Sequence, residues 1–169
     1  MNQQVIQIRN AVASDAEHIA QIWLKGLELQ KGYDGIPAEA AVITAFQVRI
    51  NAPQGASRLW VAVHDGEVVG WQGLLDYGIT QIARTALSST YIREQWLGKK
   101  IGKARLLWAM DHACELCFNH VIGWIKVDNA MSIKLVLSLG WKLVGVLPRN
   151  QESDIELAYY AYAVPKTIA

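Results

Sequence analysis

The stretch Thr90-Tyr91-Ile92-Arg93-Glu94-Gln95-Trp96-Leu97-Gly98-Lys99-Lys100-Ile101-Gly102-Lys103 decides how this chain is read. Its first part completes a run from Thr85 to Ile92 that mixes Ser, Thr and Tyr with apolar residues, a strand pattern. Its last part opens an apolar stripe of Leu106, Ala109, Met110, Ala113 and Leu116, which predicts a long helix to about Cys117. Two glycines therefore sit in a strand-to-helix turn. The first N–H groups of a helix have no internal partner, and with the macrodipole they favour an anion, phosphate above all. Lys99, Lys100 and Lys103 add positive charge, and Arg93 and Arg105 lie nearby in sequence. Two familiar phosphate loops do not fit. A nucleoside-triphosphate loop needs four residues between its glycines and then Lys with Ser or Thr, and the dinucleotide fingerprint needs a Gly-x-Gly start. Here only Lys99, Lys100 and Ile101 intervene, and Ala104 follows Lys103.

Upstream, Val5 to Arg9 alternates loosely and reads as a first strand. Ser14-Asp15-Ala16-Glu17 reads as a capping box, with Ser14 capping and Glu17 reaching back. Ile19, Ile22, Trp23 and Leu27 recur at helical spacing. Gly32 and Gly35 break the pattern, and Pro37 opens a second helix to about Ile50. Arg58 to Val63 and Val68 to Tyr77 are strands joined by an Asp65-Gly66 hairpin turn. Downstream, His120 to Val127 is a strand, Asp128-Asn129 caps a short helix that Gly140 ends, and Trp141 to Leu147 and Ile155 to Val164 are the last strands. Strands and helices mix without strict alternation. The expectation is one α+β domain over residues 1–169, built on a mostly antiparallel, twisted sheet of about seven strands with flanking helices.

Composition narrows the function. The chain has 169 residues, 52% apolar and 18% charged, with 16 Lys plus Arg against 15 Asp plus Glu. That excludes disorder and argues against a nucleic-acid coat or a polybasic membrane binder. No apolar run approaches the ~18 residues of a membrane span, and nothing reads as a signal peptide, so a cytoplasmic location is expected. The two cysteines, Cys114 and Cys117, are too few for a disulfide scaffold. Seven Trp leave aromatic surface for a pocket or a subunit contact, and a homodimer is an expectation.

The glycine loop resembles the acyl-CoA loop of the GCN5-related N-acetyltransferases: Arg or Gln, Gly, x, Gly or Ala, Ile or Leu, Gly or Ala. Asn129-Ala130-Met131-Ser132-Ile133-Lys134-Leu135-Val136-Leu137-Ser138-Leu139-Gly140-Trp141 is similar to that family's Asn-x-x-Ser-Ile-x-Leu-Tyr-x-x-x-Gly-Phe segment. Arg9 with Ser14-Asp15-Ala16 fits its opening, and the element order fits its fold. Within the family the chain looks most like the subgroup acetylating phosphinothricin and related small amino acids.

The resemblance implies acetyl-CoA as acyl donor, a small-molecule primary amine as acceptor and direct attack with no protein nucleophile. It implies that the backbone at Thr90, Tyr91 and Ile92 pairs with the pantetheine arm and that the amides of Gly98, Lys99, Lys100, Ile101, Gly102 and Lys103 hold the pyrophosphate. Asn129 would bond the pantetheine and Ser138 would touch the cofactor. The strand ending at Ile92 would splay from the one ending near Val127, making room for the thioester.

Departures from the pattern carry information. Leu97 replaces Arg or Gln, and Lys100 replaces a glycine, which asks whether φ is positive there. Val136 stands where many members have a Tyr that protonates the leaving thiolate, and Leu87 near where the subgroup has a Glu base. Tyr91 is the nearest alternative acid by sequence. A degenerate domain that binds acyl-CoA as a sensor or partner subunit is therefore the rival reading.

Three further groups of residues stand out. Asp76, Tyr77 and Arg84 border the expected acceptor pocket, where Arg84 would pair with a carboxylate. His112, Cys114, Cys117 and His120 crowd together, but the cysteines lie one helical turn apart, which favours buried packing over a metal. Trp60, Trp71, Trp108, Trp124 and Trp141 are expected in the core, and Trp96 at the surface or an interface.

Overall fold

The computed structural model describes residues 6–29, 35–52, 57–77, 84–147 and 155–166. Its centre is a seven-stranded sheet in the order β1-β2-β3-β4-β5-β7-β6. The strands are β1 (Gln7–Asn10), β2 (Arg58–His64), β3 (Glu67–Asp76), β4 (Thr85–Ile92), β5 (His120–Lys126), β6 (Lys142–Leu147) and β7 (Leu157–Ala163). Every pairing is antiparallel except β4 with β5. The helices are α1 (Ala16–Leu29), α2 (Glu39–Asn51), α3 (Ile101–Glu115) and α4 (Ala130–Ser138). The expected α+β sheet architecture is the one observed.

Strand alternation sends two sets of side chains to two cores. On one face, Leu59, Val61, Val68 and Trp71 pack with Ile19, Ile22, Val42 and Phe46 of α1 and α2. Phe46 stands edge-on to both Trp23 and Trp71. On the other face, Trp60, Leu74, Ala86 and Val121 pack with Leu106, Ala109, Met110 and Ala113 of α3, with Val136 of α4 and with Trp141. The Asp65-Gly66 turn has positive φ at both residues, 48° and 82°, the backbone that a two-residue hairpin demands.

Several local readings change. Ser14 does not cap α1. A 3-10 turn, Ala13–Asp15, precedes the helix, and Asp15 accepts from the Val12 N–H at 2.8 Å. That carboxylate also takes both guanidinium nitrogens of Arg9, at 2.7 and 2.9 Å, so the reach-back cap is present but two residues earlier, from Asp15 to Val12 rather than from Glu17 to Ser14. Pro37 precedes α2 rather than opening it, and Ala38 is the N-cap. Trp96 is 8% exposed, not superficial, because it fills a small core with Ala62, Val69 and Ile101. Trp60, Trp71 and Trp141 are buried as expected, whereas Trp108 and Trp124 are half-buried. Val5 and Gly32 lie outside the described residues.

The cysteine cluster also comes apart. Cys117 is exposed and sits past the end of α3 at φ 59°, the left-handed residue of a helix terminus. Phe118 N–H returns to Ala113 O at 3.0 Å across it. His112 stacks on Trp108 with Nδ1 at 2.7 Å from the Trp108 carbonyl, and His120 is exposed. Among the described residues, no three His, Cys, Asp or Glu side chains converge as a metal site.

Candidate active site

β4 and β5 pair over only three registers, Thr85 with His120, Ala86 with Val121 and Leu87 with Ile122. Beyond Leu87 and Ile122 the two strands continue without each other. β4 stays paired with β3 up to Ile92, and β5 stays paired with β7 up to Lys126. The result is a gap in the middle of the sheet, closed at Leu87 and open toward Ile92.

The β3–β4 register tells which backbone groups line this gap. Arg93 N–H donates to Val69 O at 3.0 Å and Tyr77 N–H to Thr85 O at 2.8 Å. In an antiparallel ladder residues alternate between exchanging bonds and facing away. The odd-numbered residues of β4 therefore bond β3, and Ser88, Thr90 and Ile92 turn their N–H and C=O groups toward the gap. This divides the expected trio. Thr90 and Ile92 present free backbone to a third strand, but the N–H and C=O of Tyr91 are spent on Trp71, its register partner.

Side chains follow the same parity. Tyr91 lies on the α1 side, stacked on Trp71 at 5.2 Å with the rings 13° apart. It crowds Gly26 of α1, where a Cβ would sit 2.6 Å from the Tyr91 ring. Thr90 and Ser88 lie on the α3 side, where both hydroxyls meet Gln72. Thr90 Oγ1 donates to Gln72 Oε1, and Gln72 Nε2 donates to Ser88 Oγ at 2.9 Å and to Gly73 O at 3.0 Å. Gln72 is 0% exposed. It went unnoticed in the sequence because a Gln within an apolar strand carries no motif.

At its open end the gap meets the glycine loop. A 3-10 turn, Glu94–Trp96, follows β4. Gly98 takes φ +77°, and Lys100 is left-handed at φ 63°, ψ 5°, as the N-cap of α3. Lys100 thus occupies a conformation natural to glycine. The first intrahelical bond is Ala104 N–H to Lys100 O at 3.1 Å, so the amides of Ile101, Gly102 and Lys103 have no helical partner. No acidic residue stands in the first turn to compete for them. Gly102 is hemmed in, since a Cβ would lie 3.1 Å from Ile92 Cδ1. Lys99 Nζ rests 4.2 Å above the buried Trp96 ring, which holds that charge beside the loop. Lys103 is exposed and Ile101 is buried in the Trp96 core.

The remaining expected residues separate. Asn129 caps α4, its Oδ1 accepting from Ser132 N–H at 3.1 Å, which leaves its amide nitrogen to donate elsewhere. Ser138 Oγ donates to Leu135 O at 2.7 Å on the exposed end of α4. Arg84 is tied to Asp76 at 3.8 Å and lies over the Phe118 ring, so its charge is already balanced. Tyr77 is on the opposite face, close enough to Tyr159 to oppose its ionisation. Burial is the larger cause that pushes the Tyr159 phenol up. Tyr159 stacks on Trp124 at 4.5 Å. Trp124 and Tyr159 thus form a stacked aromatic pair on the α1 side of the sheet beside the gap, a role the sequence reading had not given to either.

On the same side a cavity of about 290 Å³ opens between α1 and the end of β4, lined by Lys25, Gly26, Ile92, Arg93, Glu94 and Gln95. Val136, 6% exposed, is embedded in the core and offers no hydroxyl. Leu87 stands at the last β4–β5 pair and offers no carboxylate there.

The fold recurs in solved structures. The yncA protein of Salmonella typhimurium, solved with its cofactor acetyl-CoA, superposes with TM-score 0.82 at 20% identity, over 98% of this chain and 97% of that one. A GNAT superfamily phosphinothricin acetyltransferase from Sinorhizobium meliloti, solved in complex with AcCoA, gives TM-score 0.77 at 23% identity, over 94% and 88%. A GCN5-related N-acetyltransferase from Kribbella flavida gives 0.79 at 21% identity, over 94% and 97%. No curated protein matches the sequence. The model of the Acetyltransferase (GNAT) family matches residues 26–141, from α1 through the glycine loop to Trp141. With the interrupted sheet, the left-handed loop and the capped α4 all inside that span, this chain belongs to the GNAT acetyltransferase family.

Proposed function

We propose that this protein transfers an acetyl group from acetyl-CoA to a primary amine of a small molecule, by direct attack of the amine. One observation carries the reading: a gap lined by free backbone at Thr90 and Ile92 runs into unpartnered amides at the start of α3. An arm that can pair as a strand and ends in a pyrophosphate matches both parts. The residues present fit such a group. Glycine at 98 supplies the left-handed turn, glycine at 102 keeps the approach free of a side chain, and three lysines supply charge. Support also comes from the two similar structures solved with acetyl-CoA.

Bound acetyl-CoA supplies an acyl carbonyl and a thiol leaving group. The chain supplies position. Thr90 and Ile92 orient the arm, the α3 amides anchor the phosphates, and the Trp124–Tyr159 pair offers an apolar face to the body of the acceptor. Leu87, near where a carboxylate base is expected, ends the β4–β5 pairing at the closed end of the gap. The acceptor amine therefore arrives neutral or gives its proton to water. A thiol leaving group with a reference pKa near ~8.5 departs without full protonation, so turnover persists where a positioned acid would add about 10²–10⁴-fold.

The second reading, an acyl-CoA sensor without turnover, draws on Val136 and Leu87. A panel of amines with acetyl-CoA, followed by release of free thiol, separates the two. The enzyme reading expects amine-dependent release whose rate rises with pH through the acceptor's own ionisation. Tight binding of acetyl-CoA with no release above the uncatalysed rate for any amine establishes the sensor instead.

A further inference from the structure

The hydroxyl pair on the α3 side of β4 is not equivalent, and Gln72 makes the difference. Gly73 O can only accept, so the group of Gln72 that faces it at 3.0 Å is the NH2. The same nitrogen donates to Ser88 Oγ, and Oε1 receives the proton of Thr90. Thr90 has spent its proton. Ser88 oxygen is an acceptor in this network, and no acceptor among the described residues takes its proton.

Ser88 is the first residue of β4 beyond the last β4–β5 pair, Leu87 with Ile122. It is half-buried and lies on the same sheet face as Val136. A donor whose phosphates sit at Gly98 to Lys103, and whose arm pairs with Ile92 and then Thr90, brings its acyl end to the closed end of the gap, beside Ser88.

We propose that Ser88 is a catalytic residue that donates a hydrogen bond to the departing thiol sulfur, aimed there by Gln72. The inference rests on the acyl-CoA reading above. As the acetyl group moves, a C–N bond forms to the amine, the C–S bond breaks and its electron pair stays on sulfur. The amine gives one proton to solvent. Ser88 keeps its proton and shares it with the thiolate. Gln72 is the positioning residue, because its donation fixes the oxygen and directs the O–H into the gap.

The test is the ionisation of free CoA bound to the protein, read by ultraviolet absorbance of the thiolate. A donor aimed at sulfur lowers the thiol pKa below the ~8.5 of a free thiol. Ser88→Ala is expected to raise the bound value by about one unit, tenfold in the ionisation constant. It should lower kcat about tenfold or more, with acetyl-CoA affinity held within about twofold. Ser88→Thr keeps a hydroxyl on a strand and should restore both. The charged groups on this face, Arg105 bonded to Tyr91 O and the Asp76–Arg84 pair, are left unaltered by both substitutions. An unchanged bound-thiol pKa and unchanged kcat in Ser88→Ala overturn the proposal. Failure of CoA to bind the unmodified protein is a separate result, seen before any variant is made, and it overturns the acyl-CoA reading itself.

Discussion

Arg105 Nη2 donates to the carbonyl oxygen of Tyr91 at 3.0 Å from a side chain that is 0% exposed. Gly70 makes the room, since a Cβ there would lie 2.4 Å from Arg105 Nη1 and 2.8 Å from Tyr91 O. Among the described residues no acceptor reaches Arg105 Nε or Nη1. Burial alone pushes this guanidinium down from the ordinary arginine range to about 9. The unfolded chain then binds the extra proton between about 9 and that ordinary range. The cost of burying the charge is complete below about 9, and stability drawn from this group rises as pH passes above it. Arg105→Met keeps an unbranched stem and removes the charge. It should stabilise the fold at pH 7 by ~1 kcal/mol or more in urea unfolding, with a smaller advantage at pH ~10. Destabilisation at pH 7 would show that the charge has a partner of real value.

Lys100 holds φ 63° where glycine is the natural residue. The left-handed backbone costs an ordinary residue ~1–2 kcal/mol, and glycine returns ~0.5–1 of that in chain entropy. Lys100→Gly should therefore raise the melting temperature slightly while weakening acetyl-CoA binding, because a cation leaves the phosphate loop. Lys100→Ala should do worse than Lys100→Gly on stability. Calorimetry and thermal melts of the two variants decide it, and equal melting of both would contradict the strain.

Gly98 and Gly102 should fail in different ways. At Gly98 nothing lies within 4 Å of a built Cβ, but φ is +77°. Gly98→Ala should cost ~1–2 kcal/mol of stability even without ligand. At Gly102 the backbone tolerates a side chain, but Ile92 Cδ1 stands 3.1 Å away and the phosphate approach is lost. Gly102→Val should weaken acetyl-CoA affinity about tenfold or more, with a smaller stability loss than the affinity loss. Unchanged affinity in both variants would remove the loop assignment.

Asp15 links acid stability to the first turn. Burial by itself would raise this carboxyl, but the Arg9 hydrogen bonds and the Val12 N–H outweigh it, and the net shift is downward. A depressed carboxyl contributes stability above its unfolded pKa of about 3.9 and loses it as pH falls through the lower folded value. Asp15→Asn should destabilise by ~1–3 kcal/mol at pH 7. The gap between the two proteins should narrow as the solution is acidified below about pH 4. A constant gap from neutral to acid pH would mean the pair is decorative.

The fold was legible because its signals are local. Asp65-Gly66, the stripe from Leu106 to Ala113, and Asn129 before α4 each specify a backbone from neighbouring residues alone. The loop was legible for the same reason, down to the doubt over φ at Lys100. What the sequence hid depends on parity and register. Tyr91 sits between two gap-facing residues, yet its backbone belongs to β3 and its ring to Trp71. Asp76, Tyr77 and Arg84 are neighbours in the chain, but alternation sends Tyr77 to the face opposite the Asp76–Arg84 pair. Gln72 and Ser88 are sixteen positions apart and meet only across the β3–β4 ladder. Arg105 was the exception with a readable clue. It lies four residues from both Ile101 and Ala109 on the buried stripe, so helical spacing alone places a cation in the core.

The most direct test of the whole account is amide hydrogen exchange with and without acetyl-CoA. The register predicts that saturating acetyl-CoA slows exchange at Thr90 and Ile92, which face the gap, and at the amides from Gly98 to Lys103. Tyr91, already bonded to Trp71, should exchange at the same slow rate in both states. Protection that leaves Thr90 and Ile92 untouched, or that falls equally on Tyr91, would contradict an acyl donor paired along β4.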